Sequence, residues 1–350
     1  MKITEAGWDI IRYCPNRCSH CLVSETCAIR SHVDRSTASR ILNRLVRAGV
    51  RNISMKRGEP LLLPWLLDLM AEANAKSVNV HILSGGNGGT EKKLNQLLKL
   101  PGANTIIFSL DGHTRDVNDR IRYRGSFHSV CRALSFLKRR RSMPGCKLRV
   151  GVGHTVTQNT RGDLKRFMQF MQAFNVDFVD VSWAWDVGSA AGKGFALNFE
   201  QELSLQKSIR ALAGKYPFCI RAPLMSARLF PHIKTCSRGE DINIDFAGNV
   251  FPCGIAADEF ARKYAMSKHS FTKGAHRIAR KGTIVAMRSA ACASLKRRFK
   301  DANRIRQTFR ACRGCAYRTY CMICPFLIED LIKRNLQHRA APCRYPVNVP

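Results

Sequence analysis

Between residues 36 and 183 the chain alternates between two hydrophobic rhythms. Stretches with apolar positions three and four apart predict helices, and short β-branched runs predict strands. Ser36 reads as the cap of a helix that Gly49 ends, with Ile41, Leu42, Leu45 and Val46 as its apolar stripe. Further helices are predicted over 64–76, 91–100, 127–140 and 164–174, and strands over 50–55, 78–83, 105–110, 148–156 and 178–183. Trp8 to Arg12 reads as the first strand. Strict strand–helix alternation predicts a parallel sheet with crossover helices. Six such units fit before residue 185, too few for a closed eight-unit barrel. The alternation is expected to stop there. Gly188 to Gly194 reads as a small-residue linker without a P-loop pattern, 200–215 as a last helix, and the remainder as a cysteine-rich tail.

Directly after the first strand stands Tyr13-Cys14-Pro15-Asn16-Arg17-Cys18-Ser19-His20-Cys21. Three cysteines at C-x3-C-x2-C on one loop can aim three thiolates at one place. Thiolates are soft ligands for iron–sulfur clusters or zinc. A zinc site would want a fourth ligand from elsewhere, and ordinary thiols are the third reading. The tail repeats the theme with Cys236 and Cys253, then Cys312, Cys315, Cys321 and Cys324, then Cys343. Ile242–Phe246 and Val250-Phe251 flank Ala247-Gly248-Asn249, a predicted β-hairpin that carries Cys253 back beside Cys236. Structural zinc is an alternative for these seven cysteines too.

Composition narrows the class. Fifteen cysteines in a chain whose N-terminus lacks a hydrophobic signal region favour metal ligation over a disulfide framework. No run reaches the ~18 apolar residues of a membrane span, so the expectation is a cytoplasmic protein. The net charge of +33 suits nucleic acid, anionic membranes or acidic peptides as partners, or is a solvated basic surface. Residues 262–310 hold 15 Lys and Arg against one acid, Asp301, with no regular aromatics for base stacking. No internal repeat or low-complexity tract is present.

The spacing of Cys14, Cys18 and Cys21 resembles the signature of the radical S-adenosylmethionine (SAM) enzymes, with His20 where that family usually has another aromatic residue. The resemblance implies a partial (β/α)6 TIM-type barrel. It also implies a [4Fe–4S] cluster on those cysteines whose open iron chelates SAM, and a 5′-deoxyadenosyl radical that abstracts hydrogen. Arg57-Gly58-Glu59-Pro60 resembles the family's Gly-Gly-Glu-Pro loop, which holds the cofactor's ammonium; Arg57 replaces the first glycine and removes freedom of positive φ. Ser109 and Asp111 match segments that meet the ribose. Asn118 to Arg122 followed by Gly125-Ser126-Phe127 resembles a family stretch in which Arg122 would grip a carboxylate of cofactor or substrate. Thr157 to Thr160 resembles a family loop near the cofactor.

The tail pattern resembles the SPASM extension of peptide-modifying members, which carries two auxiliary [4Fe–4S] clusters. By that analogy Cys312, Cys315, Cys321 and Cys343 hold the outer cluster, and Cys236, Cys253 and Cys324 the inner one. Cys219 or an open iron completes the inner cluster. Cys27, Cys131, Cys146 and Cys292 are surplus. The implied division is a radical SAM core over 1–215 and a SPASM domain over 216–350. The implied function is hydrogen abstraction from a peptide or protein, in peptide maturation or formylglycine-type oxidation, with an external electron donor. Thirteen residues precede Cys14, which suggests a separate leader-recognition protein rather than a fused domain. Rival readings are a tetrapyrrole-pathway radical SAM enzyme, a zinc-bound nucleic-acid-binding protein, and an inactive scaffold, against which the intact Cys14, Cys18 and Cys21 speak.

Overall fold

The computed structural model describes residues 3–24, 32–186, 188–222, 242–246, 248 and 250–251. The seven tail cysteines, Cys27, Cys292 and the basic segment 262–310 lie outside the described residues. The described elements are β1 (Glu5–Trp8), α1 (Arg35–Arg47), β2 (Asn52–Met55), α2 (Leu66–Ala75), β3 (Asn79–Ser84), α3 (Glu91–Leu98), β4 (Thr105–Ser109), α4 (Arg115–Ile121) and α5 (Ser126–Arg140). They continue with β5 (Arg149–Val156), α6 (Leu164–Met171), β6 (Phe178–Trp183), α7 (Phe199–Leu212), β7 (Cys219–Arg221), β8 (Ile242–Ile244) and β9 (Val250–Phe251).

The strands form one open sheet in the order β7-β6-β5-β4-β3-β2-β1-β8-β9. Every pairing is parallel except the β8–β9 hairpin. From β1 to β7 the spatial order follows the chain, so right-handed crossovers put their helices on one face. The periodicity shows the same division. Val80 and Ile82, Ile106 and Phe108, and Val179 and Val181 are all buried, while their neighbours in sequence face the other way. This open, mostly parallel sheet is the partial TIM-type architecture anticipated above.

Four local expectations are corrected. The first strand runs from Glu5 to Trp8 rather than from Trp8 to Arg12; beyond Trp8, Asp9 is buried against Arg57 and the chain leads into the cysteine loop. Asp34, not Ser36, caps α1: its carboxylate accepts from Thr37 N at 2.9 Å, and Ser36 Oγ donates to it at 2.6 Å. Residues 115–121, where no helix was predicted and only the motif from Asn118 was noted, form α4, capped by Thr114. The alternation also does not stop at residue 185: α7 leads into β7, which pairs with β6. The predicted hairpin is present as β8 and β9, with Gly248 N donating to Asp245 O at 3.0 Å. Its first strand adds to the main sheet beside β1, with Ala6 opposite Ile242. No helix among the described residues is long and apolar enough to cross a membrane.

Asp34→Ala should lower the unfolding free energy by about 1 kcal/mol, the usual loss for a capping side chain. Ser36→Ala should change it by a few tenths at most. Urea titration of the two variants checks the reassigned cap.

Candidate active site

The cysteine loop leaves the C-terminal end of β1, the end of a parallel sheet where loops carry chemistry. It has almost no regular structure of its own, and its neighbours hold it. Ser19 donates to Ile121 O twice, from N at 2.8 Å and from Oγ at 2.7 Å. Glu59 N donates to Tyr13 O at 3.0 Å. Asn87 Nδ2 hydrogen-bonds Asn16 Oδ1. Ser189 N donates to Cys21 O at 2.9 Å. Gly188 has φ +60, and a Cβ there would overlap the carbonyls of Cys21 and Leu22. The segment read as a linker is therefore a clamp pressed on the loop. Its position straight after β6 was the available signal, since such a loop must lie at the same end of the sheet as Cys14.

Beneath the loop lies Asp111, with 0% exposure. Its Oδ1 accepts from Thr155 N at 2.7 Å. Its Oδ2 lies 2.7 Å from Arg122 Nε and 3.3 Å from His20 Nε2. Asp111 N donates to Asn118 Oδ1 at 2.9 Å. Burial works against the Asp111 charge, yet Arg122, His20 and the Thr155 amide hold its carboxyl below the usual range. Burial likewise pushes the His20 imidazole down, and the Asp111 charge beside it works the other way. Asp111 and Arg122 thus pair with each other beneath the loop. Ser109 is half-buried at the end of β4, and Thr157 N bonds Thr160 Oγ1 at 3.0 Å in a closed turn.

The Gly58–Pro60 loop follows β2. Gly58 has φ +60, and a Cβ there would strike the Ile11 carbonyl, so only glycine lets this loop lie against the strand that leads to Cys14. Arg57, expected to resist positive φ, nevertheless stands at φ 72, and its guanidinium meets Asp9 at 3.2 Å. Glu59 is wholly buried. Its Oε1 accepts from Leu61 N at 3.2 Å and its Oε2 from Gly85 N at 2.8 Å, so it ties β2 to β3. Desolvation pushes its carboxyl up to about 7, against hydrogen bonds from Ser84, Gly85 and Leu61. Pro60 opens a 3-10 turn that Glu59 caps. Tyr123 reaches the same place, donating to Gly85 O at 3.3 Å.

The donor set fits a cluster better than a single ion. The three thiols are free and lie within electrostatic reach of one another. Three soft thiolates on one loop, without a fourth protein ligand in the motif, suit an iron–sulfur cube in which each takes a different iron. Burial pushes the Cys14 thiol to about 12 and Cys18 to about 11. Loading a metal centre must therefore expel protons, and the Arg122 charge opposes the rise at Cys18. Cys131 and Cys146 are half-buried, and Cys219 is exposed on β7.

Two outcomes follow. Asp111→Ala leaves Arg122 buried without its carboxylate and should cost about 3–5 kcal/mol, with faster reaction of Cys18 and Cys21 toward a thiol reagent in metal-free protein. For Glu59, the folded carboxyl binds a proton that the unfolded one releases, so between about pH 4.5 and pH 7 its contribution to stability falls as pH rises. The lowered His20, His81 and His154 act in the opposite sense. The difference between wild type and Glu59→Gln across that window therefore isolates Glu59, and the fall should be absent from the variant.

Known proteins agree with this geometry. Residues 8–168 match the model of the Radical SAM superfamily. The chain is 27% identical over 277 residues to "Mycofactocin maturase MftC" of Mycobacterium tuberculosis (strain CDC 1551 / Oshkosh), covering 75% of this chain and 68% of that one. It is 29% identical over 123 residues to "PqqA peptide cyclase" of Ruegeria pomeroyi, covering 34% and 32%. The fold matches that of Streptococcus suis SuiB bound to precursor peptide SuiA, with a TM-score of 0.71 and 12% identity, over 99% of this chain and 75% of that one. Residues 8–168, which contain the three cysteines, Glu59, Asp111 and Arg122, are thus the part of the chain that is similar to the radical SAM superfamily.

Proposed function

We propose that this chain modifies a peptide or protein substrate by hydrogen abstraction, with a [4Fe–4S] cluster on Cys14, Cys18 and Cys21 and SAM as cofactor. The observation that carries it is the clamped thiol loop above Asp111 and Arg122, within the span that matches the superfamily. The substrate class is supported by relatives named as a maturase and a peptide cyclase, and by a like-folded protein bound to its precursor peptide. When bound, the cluster supplies the electron that cleaves SAM to a hydrogen-abstracting radical.

The chain's own residues bind, orient and seal. Gly58 and Pro60 shape a turn whose backbone carbonyls have lone pairs to offer an ammonium. Glu59 acts from within by fixing that turn, and Ser109 offers a hydroxyl toward the ribose. Asp111 and Arg122 serve as the floor that sets the height of the loop. Cys236, Cys253, Cys312, Cys315, Cys321, Cys324 and Cys343 fit two auxiliary clusters in a SPASM region, with the boundary near residue 215. The free thiols of all six described cysteines suit a reducing, cytoplasmic setting. An external electron donor, and a separate protein that recognises the leader of an acidic precursor, complete the set of partners.

Anaerobically purified protein should be brown and hold about twelve irons if three cubes are present. It should release 5′-deoxyadenosine from SAM under a chemical reductant. Cys18→Ala should abolish that release and keep about eight irons. Zinc in place of iron, or undiminished cleavage by the variant, would refute the assignment.

A further inference from the structure

The face of the sheet turned away from the helices carries a second arrangement. Register aligns its side chains in rows. Leu83, Ile107, Gly151, Phe178 and Cys219 form one row, and Ser109, Gly153, Asp180 and Arg221 the next toward the cysteine loop. Thr155 and Ser182 lie higher still, with their hydroxyls 3.3 Å apart. Gly153 leaves its place on this face without a side chain, and Gly151 makes room for Phe178. Phe178 lies across Gly151, where a Cβ would overlap the ring, and is 1% exposed.

Two guanidiniums share that ring. Arg221 Cζ stands 3.5 Å from the Phe178 centroid and Arg149 Cζ 5.3 Å. Arg221 is aimed by a two-point contact with Asp180, at 2.5 and 2.7 Å. Arg149 is exposed at the start of β5. Its guanidinium meets the ring and no described carboxylate. His81 completes the group: its imidazole is held down first by burial, then by Arg221 and Arg149, which places both cations within its reach. Among the described residues Asp180 is the acid paired within this group; the nearby Asp177 carboxylate is taken by Val150 N at 2.6 Å and by Arg141 at 2.7 Å. The two-point edge of Arg221 is taken by Asp180, so Arg149 is the guanidinium left for two-point carboxylate recognition.

We infer that Arg149 and Arg221, stacked on Phe178, receive an acidic side chain of the peptide substrate. This rests on the peptide-modifying reading above. The partner is chosen by charge: a chain of net charge +33 offers here a pair of cations with one unmatched. An internal side chain is the occupant rather than a chain end, because Arg149 lies exposed at the rim, so a backbone can run on past it. Arg149 is six residues below Thr155 on β5, about 20 Å at strand rise. An extended peptide reaching from the rim toward the cysteine loop would therefore place its acid roughly six residues from the position that reacts.

The test uses full-length, cluster-loaded protein and fluorescein-labelled ten-residue Gly/Ser peptides in about 0.15 M salt, where diffuse attraction is screened. One peptide carries a central glutamate and an amidated C-terminus. The second has glutamine in that place, and the third has glutamine and a free C-terminal carboxylate. Wild type should bind the glutamate peptide about fivefold or more tightly than either other. Arg149→Gln and Arg221→Gln, made singly, should each erase that preference. Arg115→Gln/Arg124→Gln removes two charges from the outer cleft lined by Arg115, Arg120, Arg124 and His128, and should retain it. Equal titrations up to millimolar peptide, a gain by the free-carboxylate peptide alone, or an equal loss in the outer-cleft variant would overturn the inference. SAM cleavage by the same wild-type preparation separates the two readings. Its absence would remove the enzymatic assignment, whereas cleavage without peptide discrimination would remove only the arginine site.

Discussion

The arrangement depends on a carboxylate that water does not reach. Asp111 follows β4 and meets β5, α4 and the cysteine loop, and each of these three brings a group to it: Thr155 from β5, Arg122 from the end of α4, His20 from the loop. Burying an ionised carboxylate costs several kcal/mol unless it is well matched. Here the matching groups come from segments far apart in sequence, so the charge is comfortable only when all of them are in place. The result is a short irregular loop held at fixed height without secondary structure of its own.

That dependence explains which features could be read in advance. Apart from α4, the helices and strands between residues 35 and 183 followed from local periodicity, because each buries one face against the same layer. The thiol spacing, the Gly58-Glu59 turn and the hairpin around Gly248 were also legible, because each is a local pattern. Pairings across a hundred residues or so stayed hidden, such as Ser19 with Ile121. His20 was read for its shape, whereas its contact with Asp111 comes from its polarity. Arg122 was read as a grip for an outside carboxylate, and its partner stands within the chain. Arg57 seemed unsuited to positive φ; its ion pair with Asp9 accompanies that backbone in this structure.

Glu59 shows a related division between residue type and use. A carboxylate in such a turn suggests an outward-facing acceptor for a cation, yet both oxygens bond amides of the protein. The turn's external chemistry then belongs to backbone carbonyls, whose direction the side chain fixes. A rigid frame of this kind presets the orientation of a bound group before it arrives.

The seat of β8 against β1 has a consequence for how this molecule can be divided. β1 is flanked on one side by β2 and on the other by a strand that begins at residue 242. A chain trimmed near residue 215 would strip that flank and bare a row of unpaired amides and carbonyls beside the thiol loop, the kind of raw margin through which proteins stick to one another. The barrel and the β8–β9 hairpin are thus stitched along a shared seam, and excision of the first part alone invites clumping.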